Sequence, residues 1–130
     1  MAGTIVADTL QDGAGNSTAM DNAIYGSCKA WACWDGSNGT IRASYNISSI
    51  TRNSINNFTA NFTNAFADTN YAFTGATGYD NANQTTWIGS LQNTARSTWK
   101  QTGLMSFIFS YVNGSPGTGN PSDACLMIYR

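Results

Sequence analysis

The chain has 130 residues, 42% of them hydrophobic and only 10% charged, with six Lys plus Arg against seven acids and no histidine. A domain of this length buries roughly two-thirds of the surface its unfolded chain exposes, so one core can form without a metal or disulfide staple. A formal net charge of −1 with scattered arginines excludes the field that draws a nucleic acid, and no apolar run approaches the ~18 residues of a membrane span.

Every acid is Asp and only Lys29 and Lys100 represent lysine, so the usual exposed helix formers are nearly absent. Asn, Ser, Thr and Gly replace them, the vocabulary of turns and of strands with hydroxyl-bearing faces. Residues 1–26 read as an N-terminal docking arm. Asp12-Gly13-Ala14-Gly15-Asn16-Ser17-Thr18 is rich in turn formers and separates Thr4 to Leu10 from Ile24 and Tyr25. So little apolar content struggles to hold a fixed shape alone, which points to anchoring on a neighbouring subunit or a larger assembly. The start lacks the basic and apolar regions of a secretory signal, so synthesis in a cytoplasm is expected.

Residues 27–130 read as the folded domain. Ser27 to Trp34, the turn formers Asp35 to Gly39, and Thr40 to Ile47 predict a hairpin. Ser48 to Asn53 and the alternating Phe58 to Thr63 predict a second, around Asn53-Ser54-Ile55-Asn56-Asn57. After a corner at Ala65 to Asn70, strands are predicted at Tyr71 to Thr77, Thr86 to Leu91, Met105 to Val112 and Ala124 to Tyr129. No helix is predicted beyond single turns at Asn81 to Gln84 or Leu91 to Thr98. Short strands at this spacing imply an all-β fold, a single antiparallel β-sandwich, jelly-roll-like, carrying the arm.

Chemistry has few candidates. Without histidine there is no imidazole base and no Ser-His-Asp arrangement, and the three cysteines lack zinc-knuckle spacing. Cys28 and Cys33, five apart on a strand, face opposite sides and cannot pair with each other; thiols are expected, and participation of Cys28, Cys33 or Cys125 in any disulfide is left open. Asp35, Asp68, Asp80 and Asp123 offer the one route to carboxylate-pair glycoside chemistry, but each lies in a turn, where a carboxylate bonds backbone amides. No catalytic residue is therefore assigned. Asp80-Asn81-Ala82-Asn83 supplies oxygen atoms but matches no complete calcium loop, so no metal and no cofactor are expected. Seven Asn-x-Ser/Thr sequons, at Asn16, Asn38, Asn46, Asn57, Asn61, Asn83 and Asn113, follow from the composition.

The aromatic residues carry more information. Trp31 and Trp34 are three apart and so face opposite sides of a strand, one filling the core and the other reaching a surface or a neighbour. Phe58, Phe62 and Tyr71 are further core or subunit anchors. Tyr79, Trp87 and Trp99 are the candidates for ligand or receptor contact, since exposed rings stack on sugar faces or anchor a protein, with a place in the core as the competing reading for each. Low charge also favours self-association, because interfaces form without desolvating ions.

Lys29-Ala30-Trp31, then Ile41-Arg42-Ala43-Ser44-Tyr45-Asn46, then Phe58 to Ala72 with its Asp68-Thr69-Asn70-Tyr71, and a terminal apolar strand Cys125 to Arg130, carry a resemblance. They resemble the exterior β-domain at the C-terminal end of tailed-bacteriophage tail-fibre and virion-decoration proteins, over about residues 24–77 and the last strand. The resemblance implies a non-enzymatic structural protein on the virion exterior, a homotrimer whose partners are its own copies and phage capsid or tail proteins. Capsid decoration is the first placement, since the sequence carries no heptad or fibrous repeat that would form a shaft, and a tail-fibre tip adhering to a host surface glycan or receptor, the family's usual association, is the alternative.

Overall fold

Turn chemistry sets the punctuation of the fold. The computed structural model describes residues 3, 6–78, 87–90, 99–111 and 121–130. In chain order the elements are β1 (Thr9–Gln11), β2 (Ser17–Ala19), α1 (Met20–Gly26), β3 (Cys28–Trp34), β4 (Ile41–Tyr45), β5 (Ile47–Ser54), β6 (Asn57–Phe62), β7 (Ala72–Gly78), β8 (Trp87–Ser90), β9 (Leu104–Tyr111) and β10 (Asp123–Tyr129). The protein is an all-β, antiparallel sandwich. Its strands run in the order β4-β3-β10-β7-β8-β9-β6-β5, with β1 and β2 as a separate two-stranded hairpin.

The long sheet folds over where β7 meets β8, a junction registered by the single pair Ala76 and Ile88. Two layers result, β4-β3-β10-β7 and β8-β9-β6-β5, and alternation decides what lies between them. Ala30, Ala32 and Trp34 of β3 and Ala124, Leu126 and Ile128 of β10 point inward, meeting Phe58 and Ala60 of β6 and Met105, Phe107 and Phe109 of β9. Trp34 sits edge-on to Phe58 and Phe107, each at 5.7 Å between ring centroids, and 6.1 Å from Phe109, so one indole joins the layers. A second aromatic group closes one end: Phe66 lies 4.8 Å from Phe62 and 4.9 Å from Tyr71.

The chain changes layers between β4 and β5 at Asn46, whose backbone takes φ 54°. Few residues tolerate that conformation, and Asn does so because its short side chain bonds locally. Asn46 Nδ2 donates to the carbonyls of Lys29 (3.3 Å) and Asn64 (3.2 Å), while its Oδ1 accepts from the Asn64 amide (2.8 Å). The β5–β6 turn likewise places Asn56 at φ 61°, a position glycine usually fills.

In the arm the structure departs from the sequence reading. A hairpin and a helix occupy a stretch expected to have no helix. Asp12 organises the hairpin turn: its carboxylate accepts from the amides of Ala14 and Asn16, each at 2.9 Å, and from Asn16 Nδ2 at 2.8 Å. The helix starts where Met20 and Ala23, good helix formers, follow the run of turn formers Asp12 to Thr18. Lys29 Nζ donates to the Ile24 carbonyl, which also accepts from the Ser27 hydroxyl (3.3 Å), placing a cation at the C-terminal end of the helix. That stabilising contact comes from β3, beyond the helix, which is why local propensity does not announce it.

Candidate interaction face

The outward residues of the two layers differ sharply in chemistry. On β4-β3-β10-β7 the strand register lines up Tyr45, Trp31, Met127 and Thr74 as one rung and Ala43, Cys33, Cys125 and Ala76 as the next. Tyr45 is 59% exposed and Met127 45%, and Trp31 is half-buried beside them. Among the described residues the charges of this layer stand toward its ends, Lys29 at the start of β3 among them. Arg42 pairs with Asp123 and donates to the Ser122 carbonyl (2.9 Å) at one end, while Arg130 pairs with Asp68 at the other. An aromatic and sulfur-bearing centre inside a charged rim is the anatomy of a protein interface.

Beside this face lies a cleft of about 660 Å³, between Ile24 of the arm and Tyr45, Asn46, Asn64, Phe66 and Arg130 of the sandwich. The arm adds its own apolar surface. All six residues of β1 and β2 are exposed, with Leu10 at 51% and Val6, just before them, at 93%.

The residues singled out from sequence fall into three groups. Trp34, Phe58, Phe62 and Tyr71 are core side chains. Tyr71 buries its ring and donates its hydroxyl to the Gln101 carbonyl (3.0 Å), and burial pushes its ionisation up to about 12. Trp31 is the outward member of its pair. Of the ligand candidates, Trp99 is half-buried and packs edge-on against Phe73, 6.1 Å between centroids. Tyr79 and the Trp87 side chain lie outside the described residues, as does Asp80-Asn81-Ala82-Asn83.

Of the remaining aspartates named from sequence, Asp35 and Asp123 both feel Arg42 at one end of the layer, while Asp68 stands with Arg130 at the other. Asp35 accepts from the amide and hydroxyl of Ser37, which hold its carboxyl below the usual range, and it organises the β3–β4 turn. Asp68 is held low by the Asn70 amide first and Arg130 second. Asp123 belongs to the border ion pair. Among the described residues no group of three or more Cys or Asp side chains is placed to hold a metal, and no helix is long and apolar enough to cross a membrane. Sequence reasoning missed Met127 and Tyr45. Their outward orientation was readable from alternation, but their adjacency to Trp31 depends on β10 and β4 flanking β3.

Comparison with known protein families, with characterised proteins and with solved structures returns no match.

Proposed function

We propose that this chain is a non-enzymatic structural module that assembles with copies of itself through the outer face of β4-β3-β10-β7 and docks on a tailed-phage particle through its N-terminal arm. The observation that carries the self-association is the uncharged rung of Tyr45, Trp31 and Met127, bordered by ion pairs. Burying these side chains against copies of themselves removes apolar surface from water and desolvates no charge. A closed ring needs only one repeated contact, and a trimer is the number the sequence resemblance implies. The phage placement rests on that resemblance, with capsid decoration as its first form.

A tail-fibre tip is the second placement, and the cleft beside Tyr45 and Phe66 favours it. Two aromatic rings and the Asn46 and Asn64 side chains at one opening are groups that suit a sugar ring.

Sedimentation velocity tests the self-association. The parent chain is expected to sediment as a discrete oligomer, and Met127→Lys, which places a charge in the middle of the face, as a folded monomer. A parent that is monomeric at high micromolar concentration, or a Met127→Lys oligomer of unchanged stability, overturns the reading. Labelled antibody on purified particles then separates many copies over the head from a few on the tail.

A further inference from the structure

Two of the three cysteines meet at the centre of the apolar face. Cys33 of β3 and Cys125 of β10 are 92 residues apart in the chain, yet they are direct partners in an antiparallel ladder, and their Sγ atoms are 2.7 Å apart. Directly opposed residues in such a ladder have Cα separations of about 4.5–5.5 Å, inside the about 4.4–6.8 Å that a disulfide spans. The backbone therefore has no distance to cover. On the same rung the flanking positions are Ala43 and Ala76, whose methyl groups leave both sulfurs free to rotate toward each other.

The third cysteine is engaged elsewhere. Cys28 Sγ donates to the carbonyls of Ala30 (3.1 Å) and Ile128 (3.4 Å), at the start of β3. It pairs with Tyr129 beyond a register shift in the β3–β10 ladder, away from the rung that holds Cys33 and Cys125.

We propose that Cys33 and Cys125 are a redox-active pair, closing by exchange with a low-molecular-weight disulfide into an intramolecular bond that fastens the first strand of the sandwich to its last. In the first step the Cys33 thiol loses its proton, and the thiolate attacks one sulfur of the oxidant. The oxidant's S–S bond breaks, one small thiol leaves, and a mixed disulfide remains on Cys33. In the second step Cys125 gives up its proton and attacks Cys33 Sγ, releasing the second small thiol. Two protein thiols are oxidised by two electrons, and one disulfide is reduced to two thiols. Burial first, and the neighbouring Cys33 second, push the Cys125 thiol up to about 11, which suits it to the second, intramolecular step rather than to first attack.

The bond constrains an unfolded chain over most of its length, so closure is expected to raise the thermal midpoint by roughly 5–15 °C. Both sulfurs belong to one chain, so the bond needs no second copy, and the exchange is run at a concentration where the face is open to the oxidant.

The test uses the full chain prepared with its thiols reduced, then incubated folded with oxidised glutathione. The expected result is a fall from three titratable thiols to one, loss of two hydrogens in the intact mass, a single-chain species on a non-reducing denaturing gel, and a cross-linked peptide joining Cys33 to Cys125. Cys28→Ser should close in the same way, from two thiols to none, and Cys33→Ser should show neither the cross-link nor the rise in midpoint. A persistent glutathione adduct on either residue, a cross-link through Cys28 or between chains, or three thiols surviving in the folded state while the denatured chain oxidises, each overturns the proposal.

Discussion

The two outer faces of the sandwich are built from strands of similar length and handle their side chains in opposite ways. On β5-β6-β9 most outward groups are amides and hydroxyls that bond one another, with Leu104 and Ile108 of β9 set opposite Asn61 and Asn57. Asn61 Nδ2 donates to Ser49 Oγ (3.0 Å) and Thr51 Oγ1 (3.3 Å), Asn53 Nδ2 donates to Thr59 Oγ1 (2.9 Å), and Thr59 shares a hydrogen bond with Ser106 (2.8 Å). That face has spent much of its hydrogen-bonding capacity on itself. On β4-β3-β10-β7 the corresponding positions hold Tyr45, Trp31, Cys33, Met127 and alanines, whose only cheap way out of water is another surface. The low charge of the whole chain thus conceals two different surfaces, one whose polar groups bond each other and one that is largely apolar.

The two tryptophans of β3 give the sharpest way to break that comparison. Trp34→Ala leaves a cavity among Phe58, Phe107 and Phe109, at an expected cost of about 3–5 kcal/mol, a large part of the ~5–15 kcal/mol that holds a domain together. Trp31→Ala, three residues earlier and facing out, should cost about 1 kcal/mol in the isolated chain while weakening association at least tenfold. Urea unfolding and sedimentation together read both effects. A Trp31→Ala chain as unstable as Trp34→Ala would show that the outer ring belongs to the fold and not to an interface.

Next in size is the corner between the layers. Asn46→Ala removes two donated hydrogen bonds and one accepted one and leaves an alanine at φ 54°, for an expected loss of about 2 kcal/mol. Asn46→Gly restores the backbone freedom but not the bonds and should recover only part of it. Smaller again is Thr59→Val on the polar face, which deletes the hydroxyl that Asn53 and Ser106 share; it should cost about 1 kcal/mol and leave association unchanged. A Thr59→Val chain that loses its oligomer would mean the polar face, not the apolar one, is the contact.

Much of this was legible in the chain itself, and the limit has a physical cause. Strand alternation is local, so the opposed directions of Trp31 and Trp34, the inward Phe58 and Phe62, and the Tyr71 ring beyond the Asp68 turn could all be read from spacing. Pairing between distant strands is not local. Nothing near Cys33 or Trp31 reveals that β10 will lie alongside, so the rung with Met127 and the facing sulfurs of Cys33 and Cys125 stay hidden until the register is known. Helix α1 escaped for the same reason, since Lys29, which holds its C-terminal carbonyl, belongs to the sandwich. Trp99 is a case where spacing leaves both readings open, core ring or exposed contact; the partner that half-buries it, Phe73, lies on a strand its own neighbours do not reveal.

Acid gives the gentlest probe of the difference between the faces. The outward side of β5-β6-β9 carries no carboxylate, whereas Asp35 and Asp68 brace the ends of the other layer and Asp12 braces the arm. All three have carboxyls held below the ordinary value, Asp35 chiefly by the Ser37 hydroxyl, Asp68 by the Asn70 amide and Asp12 by Asn16. A carboxyl depressed on folding contributes stability that is present above its unfolded value, about 3.9, and is lost as pH falls through the lower folded one. Hydrogen exchange compared at about pH 5 and about pH 2.5, after correction for intrinsic rates, should therefore show lost protection first at β1–β2 and β3–β4, with β5–β6 unchanged until global unfolding. Asp35→Asn retains an acceptor for the Ser37 amide but does not titrate, and it should remove the acid-dependent part at β3–β4 alone. Equal loss of protection across both layers in the parent chain would mean that acid acts through the whole core, and that the two faces do not differ in how their edges are held.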